Sequence, residues 1–217
     1  MSDAGRPGAG RGGTPRVKLC GFRRLDDALA AAALGADALG FNFWPRSKRF
    51  VEPAAARAIV ARLPPGVTAV GVFVDPTREE LLAAIAASGV GAVQLHGDEP
   101  PALCAGLPVP VVKAIRVEGP RSLAALASYE VSGFLLDSPS PGYGGSGAAF
   151  DWALAAEAAA NRRVWLAGGL TPENVAEAIR AVRPFGVDVA SGVESAPGVK
   201  DHQKMKRFIE AARGAVR

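Results

Sequence analysis

The 217 residues are 49% hydrophobic and 21% charged, with a formal charge of +4, the make-up of a globular chain able to bury one substantial core. Arg6, Arg11 and Arg16 face only Asp3 near the start, and basic and acidic residues are interspersed after them, so the basic stripe required by a nucleic-acid partner is missing. Gly, Pro or a charge breaks every apolar run well short of the roughly 20 residues of a membrane span, and Cys20 and Cys104 are too few and too far apart for a disulfide scaffold, which leads to the expectation of a cytoplasmic protein.

In chain order, residues 1–15 lack the apolar core of a secretory signal, and their glycines cost more ordering entropy than packing returns. They read as a disordered tail. From residue 16 to 217 no composition break divides the chain, so one domain is expected. Within it β-type runs alternate with Ala-rich helical patterns, the signature of repeated βα units on a parallel sheet. Strand Val17–Cys20 is followed by a helix over Asp26–Leu34, Ala38–Phe43 by Pro53–Leu63, Ala69–Val74 by Arg78–Ser88, and Ala92–Leu95 by Pro100–Ala105. Val109–Ala114 leads to Arg121–Ser128, Gly133–Asp137 to Trp152–Ala159, Arg163–Ala167 to Pro172–Val182, and Val187–Ser191 to Asp201–Ala215. Thr77 with Glu80 has capping-box spacing, and Thr171 followed by Pro172 and Asn174 marks another helix start.

Eight such units fit either a closed barrel or an open doubly wound sheet. After the first strand comes Cys20-Gly21-Phe22-Arg23-Arg24 rather than a dinucleotide-binding glycine turn, and both the count and the length favour a single (β/α)8 TIM barrel with lean loops. Closure would make strands 1 and 8 neighbours. Lys18 and Asp188 would then meet as an ion pair inside the barrel, since a buried ammonium needs a carboxylate. The same cation would favour a thiolate at Cys20, which shares the face of Lys18 by period-2 alternation.

Barrel active sites are built at the carboxyl ends of the strands. The polar residues at those ends are Cys20, Arg49, Asp75, His96, Arg116 and Asp137, and strands 7 and 8 run into Gly168-Gly169 and Ser191-Gly192. Glycines at these two turns let backbone N–H groups approach an anion, at the recurrent phosphate site of barrels. A phosphorylated small molecule is the expected ligand.

Six motifs then occur in register from residue 17 onward: Val17-Lys18-Leu19-Cys20-Gly21, Gly35-Ala36-Asp37-Ala38-Leu39-Gly40-Phe41 with Ser47-Lys48-Arg49, Gln94-Leu95-His96-Gly97-Asp98-Glu99, Gly144-Gly145-Ser146-Gly147 with Phe150-Asp151-Trp152, Ala167-Gly168-Gly169-Leu170-Thr171-Pro172-Glu173-Asn174, and Ser191-Gly192-Val193-Glu194. Together they resemble the phosphoribosylanthranilate isomerase family. The resemblance implies an Amadori rearrangement in tryptophan biosynthesis, with no metal and no organic cofactor. It implies Asp137 as the acid that opens the furanose ring and Cys20 as the base that takes the proton from carbon 2. Arg49 would hold the anthranilate carboxylate, and Gly168, Gly169, Ser191 and Gly192 the phosphate. His96 reads as a structural histidine, Cys104 as packing, and the loop from Pro141 to Gly147 as a segment able to close over the substrate. Phe22, Ala148-Ala149 and Ala190 depart from the usual pattern of the family. A histidine-pathway barrel isomerase, an indole-glycerol-phosphate synthase and a non-catalytic binding protein are the rival readings; Cys20 in place of an aspartate argues against the first. Oligomeric state is left open.

Overall fold

The computed structural model describes residues 13–138 and 152–216. Most of the expected tail and the whole glycine-rich loop lie outside the described residues. Parallel strands β1 (Arg16–Cys20), β2 (Ala38–Asn42), β3 (Thr68–Phe73), β4 (Ala92–Leu95), β5 (Val111–Arg116), β6 (Gly133–Asp137), β7 (Val164–Leu166) and β8 (Gly186–Val189) close into one barrel in sequence order. Helices α1 (Leu25–Ala33), α2 (Pro53–Val60), α3 (Arg78–Ser88), α4 (Pro101–Cys104), α5 (Pro120–Ala124), α6 (Trp152–Asn161), α7 (Val175–Val182) and α8 (His202–Gly214) alternate with the strands. This is the expected TIM barrel.

The strands sort their side chains by alternation. Val17, Leu19, Leu39, Phe41, Leu95, Leu136 and Leu166 are completely buried in an apolar layer shared with Ala28, Leu81, Val175, Met205 and Phe208 from the helices. At about 1.5–3 kcal/mol for each fully buried large side chain, this outer layer carries most of the hydrophobic stabilisation. The barrel axis is filled by smaller groups, with Ala38, Val70 and Ala92 in one cluster and Ala114, Leu135 and Ala167 beside Trp165 in another.

Local chemistry explains where elements start. At α3 the Thr77 hydroxyl accepts from the Glu80 N–H at 3.2 Å while the Glu80 carboxylate accepts from the Thr77 N–H at 2.7 Å, and the helix has the expected bounds. Strand β5 begins two residues later than expected because Pro110 has no N–H for the ladder; its carbonyl only accepts from Val93, at 3.0 Å. Helix α7 begins at Val175 rather than Pro172. Asn174 Oδ1 accepts from the Thr171 N–H at 2.8 Å, and Thr171 Oγ1 accepts from the Glu173 N–H at 3.2 Å, so residues 171–174 form a turn of their own. A short antiparallel hairpin, β9 (Glu194–Ala196) and β10 (Val199–Lys200), follows β8; nothing in the sequence pattern anticipates it.

The closing seam is β1 against β8, with Lys18 opposite Asp188. Lys18 Nζ donates to Asp188 Oδ1 at 2.8 Å, and the two side chains are 4% and 9% exposed, so the expected ion pair is present. Burial pulls the Lys18 ammonium down, but Asp188 and Cys20 outweigh it and hold its pKa above the ordinary value. The outer end of the seam is tied by Asp37, which accepts from the Val17 N–H at 2.7 Å and pairs with Arg213 of α8 at 2.6 Å. Lys18→Met should lower unfolding stability by about 3–5 kcal/mol, because it leaves the Asp188 charge buried and unpaired. Adding Asp188→Leu should recover most of that loss in denaturant melts. A double variant no more stable than Lys18→Met would show that the pair itself is not the source.

Candidate active site

A cleft at the carboxyl end of the barrel is lined by Cys20, Asn42, Arg49, Gln94, His96, Asp137, Gly168, Gly169, Asp188 and Ser191 among others. Around its rim the strand order places Asp137 of β6 first, then the Gly168–Gly169 turn after β7, Ser191–Gly192 after β8, Cys20 of β1, and Arg49 from the loop after β2. The sequence-derived site residues therefore converge on one arc of the rim, and Gly192 supports it from behind.

Cys20 ends β1 opposite Gly40. A Cβ at residue 40 would lie 2.6 Å from Cys20 Sγ, so that glycine makes room for the thiol. Burial raises the Cys20 pKa; Lys18 opposes that shift, Asp188 adds to it, and Lys200 and Arg49 oppose it. Lys18 does favour the thiolate, as expected, but burial and Asp188 prevail and the net displacement is upward. The resting group is the neutral thiol.

Arg49 is anchored rather than a free surface arginine. Its Nε donates to Glu194 Oε1 at 2.9 Å and its Nη2 to Glu194 Oε2 at 2.6 Å, the bidentate geometry that suits a planar guanidinium. The hydrogen bonds that Arg49 donates to Glu194 raise the arginine's pKa despite partial burial. Gly21, with φ +91°, lies beneath it, where a Cβ would come within 2.4 Å of Arg49 Cδ. Glu194 is shared with buried Lys200, whose Nζ donates to Glu194 Oε1 at 2.9 Å, to the Cys20 carbonyl at 2.5 Å and to the Ala190 carbonyl at 3.3 Å. Burial pushes up the Glu194 carboxyl, yet Arg49 and Lys200 together hold it below its ordinary value. Burial is also the main reason that the Lys200 ammonium falls below its ordinary range.

The two glycine turns are held in different ways, the first by a side chain and the second by close backbone packing. Gly168 and Gly169 have φ +83° and +65°, and a Cβ on Gly168 would meet Ser138 N at 2.5 Å. Asn174 Nδ2 donates to the Gly169 carbonyl at 2.9 Å. A Cβ on Gly192 would strike the Leu170 carbonyl oxygen at 2.1 Å, so the β7 and β8 loops approach backbone to backbone. On the far side, Asp137 Oδ1 accepts from the Ser138 N–H at 2.9 Å. Its Oδ2 lies 3.2 Å from His96 Nε2.

Glu194, Lys200, Gln94 and Asn174 belong to this site although the sequence reading gave them no role there. Gln94 and His96 carried a usable signal: two polar residues at inward positions of one strand, next to its carboxyl end. Lys200 carried none, since its partners lie in other elements. Among the described residues no cluster of His, Cys, Asp and Glu is arranged to hold a metal.

Residues 17–211 match the family model described as N-(5'-phosphoribosyl)anthranilate (PRA) isomerase. An N-(5'-phosphoribosyl)anthranilate isomerase of Myxococcus xanthus is 51% identical over 203 residues, covering 91% of this chain and 96% of the relative. The crystal structure of phosphoribosyl anthranilate isomerase from Thermotoga maritima superposes with a TM-score of 0.88 at 47% identity, covering 92% of this chain and 99% of that one. A phosphoribosyl anthranilate isomerase solved in complex with reduced 1-(o-carboxyphenylamino)-1-deoxyribulose 5-phosphate superposes with a TM-score of 0.84 at 44% identity, covering 92% and 99%.

The raised Cys20 pKa gives a direct check. The rate of Cys20 alkylation by iodoacetamide, followed by peptide mass, should rise with pH through a midpoint above the ordinary thiol value of 9.0. Lys18→Met should move the midpoint higher still, because a favourable cation is lost while Asp188 stays. A midpoint near neutrality would mean that the cations outweigh burial.

Proposed function

The chain belongs to the N-(5'-phosphoribosyl)anthranilate isomerase family, and from that premise we infer that its cleft converts N-(5'-phosphoribosyl)anthranilate to 1-(2-carboxyphenylamino)-1-deoxyribulose 5-phosphate, an Amadori step of tryptophan biosynthesis. The carrying observation is the order of groups around the rim. A phosphate bound at the β7 and β8 turns has Asp137 on one side and Cys20 on the other. The ribose attached to it lies between an acid and a base. The anthranilate ring extends past Cys20 toward Arg49, whose Nη1 edge is not used by Glu194.

The chemistry follows from those positions. Asp137 gives a proton to the furanose ring oxygen; the bond from carbon 1 to that oxygen breaks, its electron pair stays on the oxygen, and the nitrogen lone pair forms a protonated Schiff base. That C=N⁺ group acidifies the neighbouring carbon 2. Cys20, after its thiol has released its proton to water in the open cleft, removes the carbon 2 proton as thiolate, and the electrons left behind form the C1=C2 bond of an enolamine, which tautomerises to the ketone. A thiol whose pKa is held high is a strong base once ionised, and Lys18, Lys200 and Arg49 offset part of the cost of ionising it. Gly168, Gly169, Ser191 and Gly192 present backbone N–H groups to the phosphate.

Among the described residues no helix is long and apolar enough to cross a membrane. We place the enzyme in the cytoplasm, where reducing conditions keep Cys20 a thiol.

In an assay of loss of phosphoribosylanthranilate fluorescence, Cys20→Ala and Asp137→Asn should each lower kcat by about 10² to 10⁴ with the fold intact. Wild-type turnover by either variant would remove that residue from the mechanism. Arg49→Ala should raise KM with little change in kcat, because the carboxylate it binds is the same in ground and transition states. An unchanged KM would end its assignment as the carboxylate site.

A further inference from the structure

Resting on the reading of Asp137 as the acid, we propose that His96 is the positioning residue of that acid, with its ring proton directed by Gln94. Gln94 is 1% exposed, and its Nε2 lies 2.9 Å from His96 Nδ1. An amide nitrogen can only donate, so Nδ1 is the acceptor and the ring's proton sits on Nε2. The ring is further held through the His96 backbone N–H, which donates to the Phe73 carbonyl at 2.8 Å. Nε2 then points into the cleft, 3.2 Å from Asp137 Oδ2, while Oδ1 is held by the Ser138 N–H.

The alignment of that contact is informative. Nε2 is buried, yet among the described residues it completes no hydrogen bond, although Asp137 lies within reach. A bond from Nε2–H already complete in the resting cleft would have nothing left to gain as the proton moves. The unaligned contact keeps that bond in reserve. As Asp137 passes its proton to the ring oxygen, negative charge develops on Oδ2, and a small rotation aligns Nε2–H with it. The bond is made as charge appears, and His96 keeps its proton throughout. Such an interaction belongs to the transition state and should appear in kcat rather than KM.

Other charges near the ring set its background. Arg116 is opposite Asp137 in the register of β5 and β6, and Asp98, Lys113, Arg116 and Glu118 border the shallow cleft on the other side of His96. Lys113 is committed to Glu99 at 2.9 Å, and Asp98 is held through its N–H by Asp75 at 2.7 Å. Gln94 is the side chain that contacts Nδ1.

The experiment compares four variants with wild type in the same assay. His96→Leu should lower kcat about ten- to a hundredfold with KM within about twofold, since a hydrogen bond to a charged group is worth about 1.5–3 kcal/mol. His96→Gln, whose amide nitrogen can reach the place of Nε2, should restore most of that loss. Gln94→Glu requires a proton on Nδ1 and so moves the ring away from the tautomer that carries its proton on Nε2; it should lower kcat and displace the alkaline limb of the kcat profile, whereas Gln94→Leu should lower kcat without moving that limb. The proposal is overturned if His96→Leu keeps wild-type kcat, if its loss is entirely in KM, or if a folded His96→Gln is as impaired as His96→Leu. Gln94→Glu and Gln94→Leu giving identical pH profiles would also overturn it. Asp137→Asn run alongside separates the two levels: an active Asp137→Asn sinks the acid assignment, while an inactive one beside a fully active His96→Leu sinks only the role of His96.

Discussion

Closure of the sheet between β1 and β8 is the constraint from which the chemistry of this barrel descends. Parallel pairing fixes Lys18 opposite Asp188, and alternation then puts Cys20 one step above Lys18 on the same inward face. The axis can accept this charge because the pair is complete at 2.8 Å and because its neighbours Ala38, Val70 and Ala92 are small. Stability resides mainly in the layer outside the strands, which leaves the axis available for polar work. A barrel with bulky residues throughout its interior would have no place for the pair beneath the thiol.

Above that floor, the same device is used twice to hold loops that are too short to brace themselves. Lys113 is buried and donates to the carbonyls of Leu95, Gly97 and Ala114 and to Glu99. Glu99 in turn accepts from the backbone N–H groups of Asp75 and Gly97, so one lysine orders the turn that carries His96. Lys200 is its counterpart on the opposite part of the rim, joining the carbonyls of Cys20 and Ala190 to Glu194 and through it to Arg49. A buried ammonium with a carboxylate and several carbonyls satisfies all of its donors, so its desolvation is offset in part and its partners are fixed in place. The carbonyl of Cys20 and the guanidinium of Arg49 thus share one rigid frame.

What was legible in the sequence follows the range of the interactions involved. Thr77 and Glu80 sit three residues apart and act on each other, so α3 could be bounded from the chain alone. The Lys18–Asp188 pair is long-range, but closure and period-2 alternation reduce it to a question of register, and it too was foreseeable. Asn174 misled at the start of α7 because its amide serves the Thr171–Asn174 turn and the Gly169 carbonyl in place of a helix end at Pro172. The β9–β10 hairpin has strands of three and two residues, too short for any periodic pattern. With it went the role of Lys200, whose Nζ makes hydrogen bonds to β1, to the residue after β8 and to β9. Arg49 was found by motif, but its partner Glu194, though part of a quoted motif, had no visible reason to point at it.

If Asp137 is the acid and Cys20 the base, as proposed, their opposed needs match the way the rim is divided. A base must be able to lose its own proton and an acid must be able to keep it, so a single cationic cleft would help Cys20 and disable Asp137. The cations that act on Cys20 are grouped on the side of β1, with Lys18 below the thiol and Lys200 and Arg49 beside it, whereas the cation next to Asp137 in the strand register is Arg116 of β5. Asp137 stands on β6, separated from that side of the rim by β7 and β8, and meets the ring of His96 and a backbone N–H from Ser138. On the proposed reading of the cleft, the turns after β7 and β8 do more than bind the phosphate, since their position between β6 and β1 also holds the proposed acid and base apart.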